Sequence, residues 1–105
     1  LEELAKSNSD RAGFFASADE LPKVMNGREG YLSEATKASL QFLATKNKPF
    51  FLMVEGAFID SGGHINDSQT VIEEGIDFDQ AIAEALRFAD QNGRTLVIIT
   101  ADQEI

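Results

Sequence analysis

At 105 residues the chain has the length of one domain, enough for a modest core and short for an enzyme that must enclose a deep multi-metal site. Its composition, 43% hydrophobic and 26% charged with two prolines and no repeat or low-complexity tract, excludes disorder as the expected state. Eighteen acids against nine bases leave a net charge of −9, which argues against nucleic acid as a partner, since that contact needs Lys and Arg to neutralise phosphates.

The same acidity repels anionic substrates, so a phosphate-handling site here would need metal cations or a local Arg to reverse the field. The chain has no cysteine, which excludes disulfides and thiolate metal sites and leaves the redox compartment open. No apolar run approaches a membrane span. The start, Leu1-Glu2-Glu3-Leu4, has neither an initiator Met nor the basic and apolar regions of a signal peptide, the pattern expected of a fragment.

Residues 1–30 are the least legible part: Gly13-Phe14-Phe15-Ala16 is a candidate short strand, and Asn26-Gly27 and Gly30 are turn signals ahead of the first clear helix. Over residues 31–46 the positions Leu32, Ala35, Ser39 and Leu43, with Ala38 and Phe42 beside them, recur at helical spacing, and Asn47-Lys48-Pro49 supplies a stop. Pro49-Phe50-Phe51-Leu52-Met53-Val54 is a continuous apolar run too short for a helix, which suits a strand buried on both faces. A second such run is Thr95-Leu96-Val97-Ile98-Ile99-Thr100. Between them residues 77–91 place Phe78, Ala81, Ile82, Ala85 and Ala89 on one stripe; Asp77 with Gln80 resembles a capping box, and Asn92-Gly93 closes the helix.

Strand, helix and strand in that order predict an α/β fold with a mostly parallel sheet flanked by helices, residues 1–105 forming a single domain or part of one. In open sheets of this kind ligands bind beyond the carboxyl ends of the strands, and both runs lead into acids, Glu55 after the first and Asp102 after the second.

The only histidine lies in Asp60-Ser61-Gly62-Gly63-His64. On a helical turn Asp60 and His64 would face one way and offer a partial Zn²⁺ ligand set; the spacing alone favours a polar turn with an exposed His and an Asp that caps the next helix. Glu55, beside Phe51, Leu52 and Val54, must be solvated, paired or coordinated, and reads equally as a loop Glu or as an oxygen ligand for Mg²⁺. Asp102 reads equally as a strand-end turn residue or a metal ligand.

Taken together, residues 50–102 resemble the alkaline phosphatase family, whose pattern runs strand, V-E-G, D-x-x-x-H, a D-F-D-x-A helix and T-L-V-I-[IV]-T-A-D-H. Gly13-Phe14-Phe15, Leu21-Pro22 and the helix around residues 33–43 resemble the preceding segment less specifically. The resemblance implies Glu55 as a Mg²⁺ ligand, Asp60 and His64 as ligands of one Zn²⁺, and Asp102 as a ligand of a second. It further implies hydrolysis of phosphate monoesters through a phosphoserine intermediate with an Arg on the phosphate, and export to the periplasm or cell surface, while a homodimer is left open.

The departures are specific. Gln103 stands where the family has His, and an amide oxygen donates weakly to Zn²⁺. No match is found for the nucleophilic Ser or for the later zinc His, and none of Arg11, Arg28, Arg87 and Arg94 sits in a matching motif. The expected reading is a fragment of a phosphomonoesterase, inactive as an isolated chain. The alternatives are a non-catalytic relative, a phosphodiesterase or phosphomutase of the same superfamily, or a plain interaction module.

Overall fold

The computed structural model describes residues 1–103, and of Ala5 the backbone alone. Among the described residues four α-helices occur in chain order, α1 (Glu2–Ala5), α2 (Tyr31–Ala44), α3 (Ala57–His64) and α4 (Ser68–Asn92), with a 3₁₀ turn at Val24–Asn26 before α2. The long α4 is the spine, with α2, α3 and the 3₁₀ turn packed against it and α1 resting on α2.

Gly30 precedes α2 with φ 76°, a left-handed geometry that only glycine adopts without cost, and its N–H donates to Asp77 Oδ1 of α4 at 3.1 Å. One loop residue therefore both starts α2 and docks it. The helix stops at Thr45, just before Asn47 (φ 52°) and the expected Lys48-Pro49 break. Its buried positions are Thr36, Ala38, Leu40 and Phe42, while Leu32, Ala35, Ser39 and Leu43 of the expected stripe are half-buried. Thr36 tolerates burial because its hydroxyl donates to Leu32 O at 2.8 Å. Beyond α2, Lys46 Nζ lies over the Phe42 ring at 4.2 Å and donates to Ser9 O at 2.5 Å, tying the segment after α1 to the end of α2.

α4 begins at Ser68, well before the capping box expected at Asp77. Its cap is Asp67, whose carboxylate accepts from Thr70 N at 3.2 Å and Thr70 Oγ1 at 2.5 Å. The first turns escaped the sequence pattern because their buried face is polar: Thr70, Glu74, Asp77 and Ala81 form the covered stripe. Gly93 ends the helix as expected, with φ 66° and its N–H donating to Ala89 O at 2.8 Å.

The α/β expectation is corrected. Among the described residues there is no strand and no sheet. Among the described residues the runs 49–54 and 95–100 leave the helices and exchange no backbone hydrogen bonds with each other or with another segment. Their side chains alternate as strand residues would, Leu52, Val54 and Val97 half-buried against the helices and Phe51 and Leu96 87% and 82% exposed. Phe50 anchors the first run on α4 through Phe88, ring centroids 6.1 Å apart. A parallel sheet needs adjacent strands to satisfy each N–H and C=O, and apolar pattern alone supplies none. Gly13-Phe14-Phe15-Ala16 is likewise irregular and exposed instead of a strand.

Candidate metal centre

The segment that carries the candidate ligands is shaped by two glycines. Gly56 leads from Glu55 into α3, and a Cβ there would lie 3.0 Å from Phe78 Cγ of α4. Gly62, on the inward side of α3, meets α4 so closely that a Cβ would come 3.0 Å from the Val71 backbone N. α3 thus lies on α4 by its glycine side and turns its polar side outward.

On that outward side Asp60 and His64 stand one turn apart, with His64 Nε2 3.3 Å from Asp60 Oδ2 and side chains 50% and 59% exposed. The one-turn helical alignment considered for this pair is adopted, and His64 is exposed, as in the alternative reading of the same segment. Glu55 is exposed at the end of the first run. Asp102 is exposed after the second, its Oδ1 accepting from Gln103 N at 2.9 Å. Among the described residues no three His, Asp or Glu side chains gather closely enough to hold an ion, so the structure assembles the Asp60–His64 pair and not the expected four-residue mouth.

The donor pair fits zinc in part. An anionic oxygen and an imidazole nitrogen, both accessible, match the ligand types of a tetrahedral Zn²⁺ site and cover two of its positions. Glu55 offers the oxygen chemistry Mg²⁺ prefers.

A second polar assembly, which sequence reasoning missed, lies inside. Arg28 reaches from the segment before α2 to α4, where its Nη2 pairs with Glu74 Oε2 and its Nη1 lies 3.6 Å from Asp77 Oδ2; the Arg28 and Glu74 side chains are 8% and 4% exposed. Arg28 Nε donates to Pro22 O at 2.9 Å, and Glu74 Oε1 accepts from Val24 N at 2.8 Å. One turn earlier on α4, Lys23 Nζ donates to Thr70 Oγ1 at 3.1 Å and lies 3.7 Å from Asp67 Oδ2. Arg28 is therefore engaged internally and is no free phosphate clamp. The signal that could have exposed this assembly is the spacing of Thr70, Glu74 and Asp77, a helix stripe of polar residues in register with Ala81.

Fold and site together define a helical scaffold with α4 as its core and a carboxylate–imidazole pair on its surface. Comparison with known proteins makes this specific: the alkaline phosphatase family profile matches residues 2–105, and the chain belongs to that family. It is 44% identical over 71 residues to alkaline phosphatase of Escherichia coli strain K12, covering 68% of this chain and 15% of that protein. It is 39% identical over 101 residues to alkaline phosphatase 4 of Bacillus subtilis strain 168, covering 92% of this chain and 22% of that protein. It is 39% identical over 71 residues to the mouse tissue-nonspecific isozyme, covering 68% and 13%. The chain thus spans less than a quarter of the length of these relatives. No solved structure matches it. Among the described residues no helix is long and apolar enough to cross a membrane.

Proposed function

We propose that this chain supplies part of the metal-binding scaffold of a phosphomonoesterase, with Asp60 and His64 as ligands of one Zn²⁺, Asp102 of a second and Glu55 of Mg²⁺. The observation that carries the reading is the Asp60–His64 pair, one turn apart on a short helix in a chain of the alkaline phosphatase family. Bound zinc ions of this kind polarise phosphoryl oxygens and stabilise the attacking and leaving groups of a phosphoryl transfer.

The residues of the chain itself bind and orient. Asp60 and His64 present a preformed pair of donors, which lowers the ordering cost of binding an ion. Gly56 and Gly62 permit the close contact with α4 that turns this pair outward. A net charge of −9 makes cations at this surface the means by which a phosphate ester could approach.

Zinc titration of the purified chain by calorimetry tests the reading. Affinity should fall by roughly tenfold or more in His64→Ala and in Asp60→Ala, in the range seen when metal-site groups are lost. Unchanged affinity in both variants sinks the assignment.

Gln103 favours a second component: catalysis does not reside in the 105-residue chain alone. An amide at a family His position weakens the second zinc set, and no nucleophilic serine motif is matched. The chain should show no chelator-sensitive hydrolysis of an aryl phosphate.

A further inference from the structure

We propose that Arg28 is a positioning residue for the candidate metal pair: it holds α3 in one rotation about its axis by a cation–π contact with Phe58. The zinc arm of this proposal rests on the metal reading above; the structural arm does not.

α3 has eight residues, two of them the adjacent Gly62 and Gly63, and so lacks both the length and the propensity to be a stable helix alone. Its geometry must come from its neighbours. Along one line it meets α4 at Gly62, where the absence of a Cβ allows close approach to Thr70 and Val71. A second hold, from outside α4, lies in its first turn, where the Arg28 guanidinium stands over the Phe58 ring at 5.3 Å from the centroid.

That guanidinium is itself held rigidly. Glu74 and Asp77 of α4 lie at its Nη groups, and Nε is spent on Pro22 O at 2.9 Å. Asp77 Oδ2 has no hydrogen-bond donor, so the nearby Arg28 charge is what offsets its burial. An anchor held on three sides in this way keeps the guanidinium over the ring, and a lysine ammonium lacks the planar fork that makes these contacts together.

Asp60 follows Phe58 by two residues and His64 by six, which at 100° per residue puts both on the side of α3 away from the ring. Accordingly Phe58 is half-buried while Asp60 and His64 are exposed. Rotation of α3 is the motion that would redirect the pair, and Phe58 under Arg28 opposes it. The segment ahead of α2, irregular for most of its length, thereby carries Arg28 to the back of the metal-binding helix.

The test uses the purified chain with Arg28→Lys, Phe58→Leu and Phe58→Tyr. Amide hydrogen exchange across residues 60–64 is read without metal, with the amides around Ala81 in α4 as the internal standard for intact folding. Arg28→Lys and Phe58→Leu should speed exchange in α3 about tenfold relative to α4 and weaken zinc binding, whereas Phe58→Tyr, which keeps the ring face, should retain parental values in both readouts. Unchanged α3 exchange in Arg28→Lys and Phe58→Leu overturns the proposal. Faster exchange with zinc affinity intact, where His64→Ala does weaken zinc, overturns the positioning role. Failure of His64→Ala to weaken zinc sinks the metal reading instead, and exchange alone then judges whether Arg28 holds α3.

Discussion

Arg28 and Glu74, 46 residues apart in sequence, meet in a buried ion pair that fastens the segment before α2 to the N-terminal third of α4. Removing the cation leaves two buried carboxylates with a single backbone N–H each, that of Val24 on Glu74 and that of Gly30 on Asp77. Arg28→Met should therefore destabilise the chain by about 3–5 kcal/mol, the range for breaking a buried pair from one side. Urea denaturation followed by circular dichroism measures it. A second substitution, Glu74→Gln, should recover part of the loss by removing one stranded charge; full additivity of the two losses would contradict the coupling.

Gly62 and Gly75 both sit inside helices, yet opposite responses to alanine are expected. At Gly62 the new Cβ would lie 3.0 Å from the Val71 backbone N, which cannot yield as a side chain does. Gly62→Ala should cost about 1–3 kcal/mol as overpacking. At Gly75 nothing lies within 4 Å, so Gly75→Ala should gain roughly 0.5–1 kcal/mol from helix propensity. Thermal melts of the two variants check the pair.

Asp67 caps α4, and its pKa is held below the ordinary 3.8 by the hydrogen bonds from the Thr70 side chain and backbone, with Lys23 adding to the effect. A depressed folded-state pKa means the unfolded chain binds the proton more readily, so stability is complete above 3.8 and is lost as pH falls through the lower folded value. Asp67→Asn keeps a cap acceptor and removes the titration. Its stability should decline less than the parent's on acidification, as read from urea midpoints at descending pH; parallel declines would contradict the assignment.

Phe51, Met53, Leu96 and Ile98 are exposed on extended segments with unsatisfied strand potential. Such segments recruit partners edge to edge, and the net charge of −9 is the opposing force. Raising ionic strength should therefore promote self-association. Phe51→Lys with Ile98→Lys should suppress it without loss of helical signal, as measured by sedimentation velocity and circular dichroism.

The helix over residues 31–46 was legible because its apolar spacing and its Lys48-Pro49 stop are local facts, and α2 matches it closely. The N-terminal third of α4 was not, because Thr70, Glu74 and Asp77 look like exposed helix or loop until Lys23 and Arg28 cover them. The candidate ligands divide in the same way. Asp60 and His64 are four residues apart, so a single turn of helix brings them together. Glu55 and Asp102 depend on where two extended segments lie, and the expected sheet between them is absent among the described residues.

The amino-acid sequence by itself determined the family of this chain, its net acidity, the helix α2 and the one-turn spacing of Asp60 and His64, because motif spacing, charge and helical period are properties of neighbours along the chain. Only the tertiary structure decided that the apolar runs stay unpaired and that Arg28 serves inside the molecule. A backbone ladder and a buried ion pair both require groups from distant positions to meet, and their partners are chosen by packing.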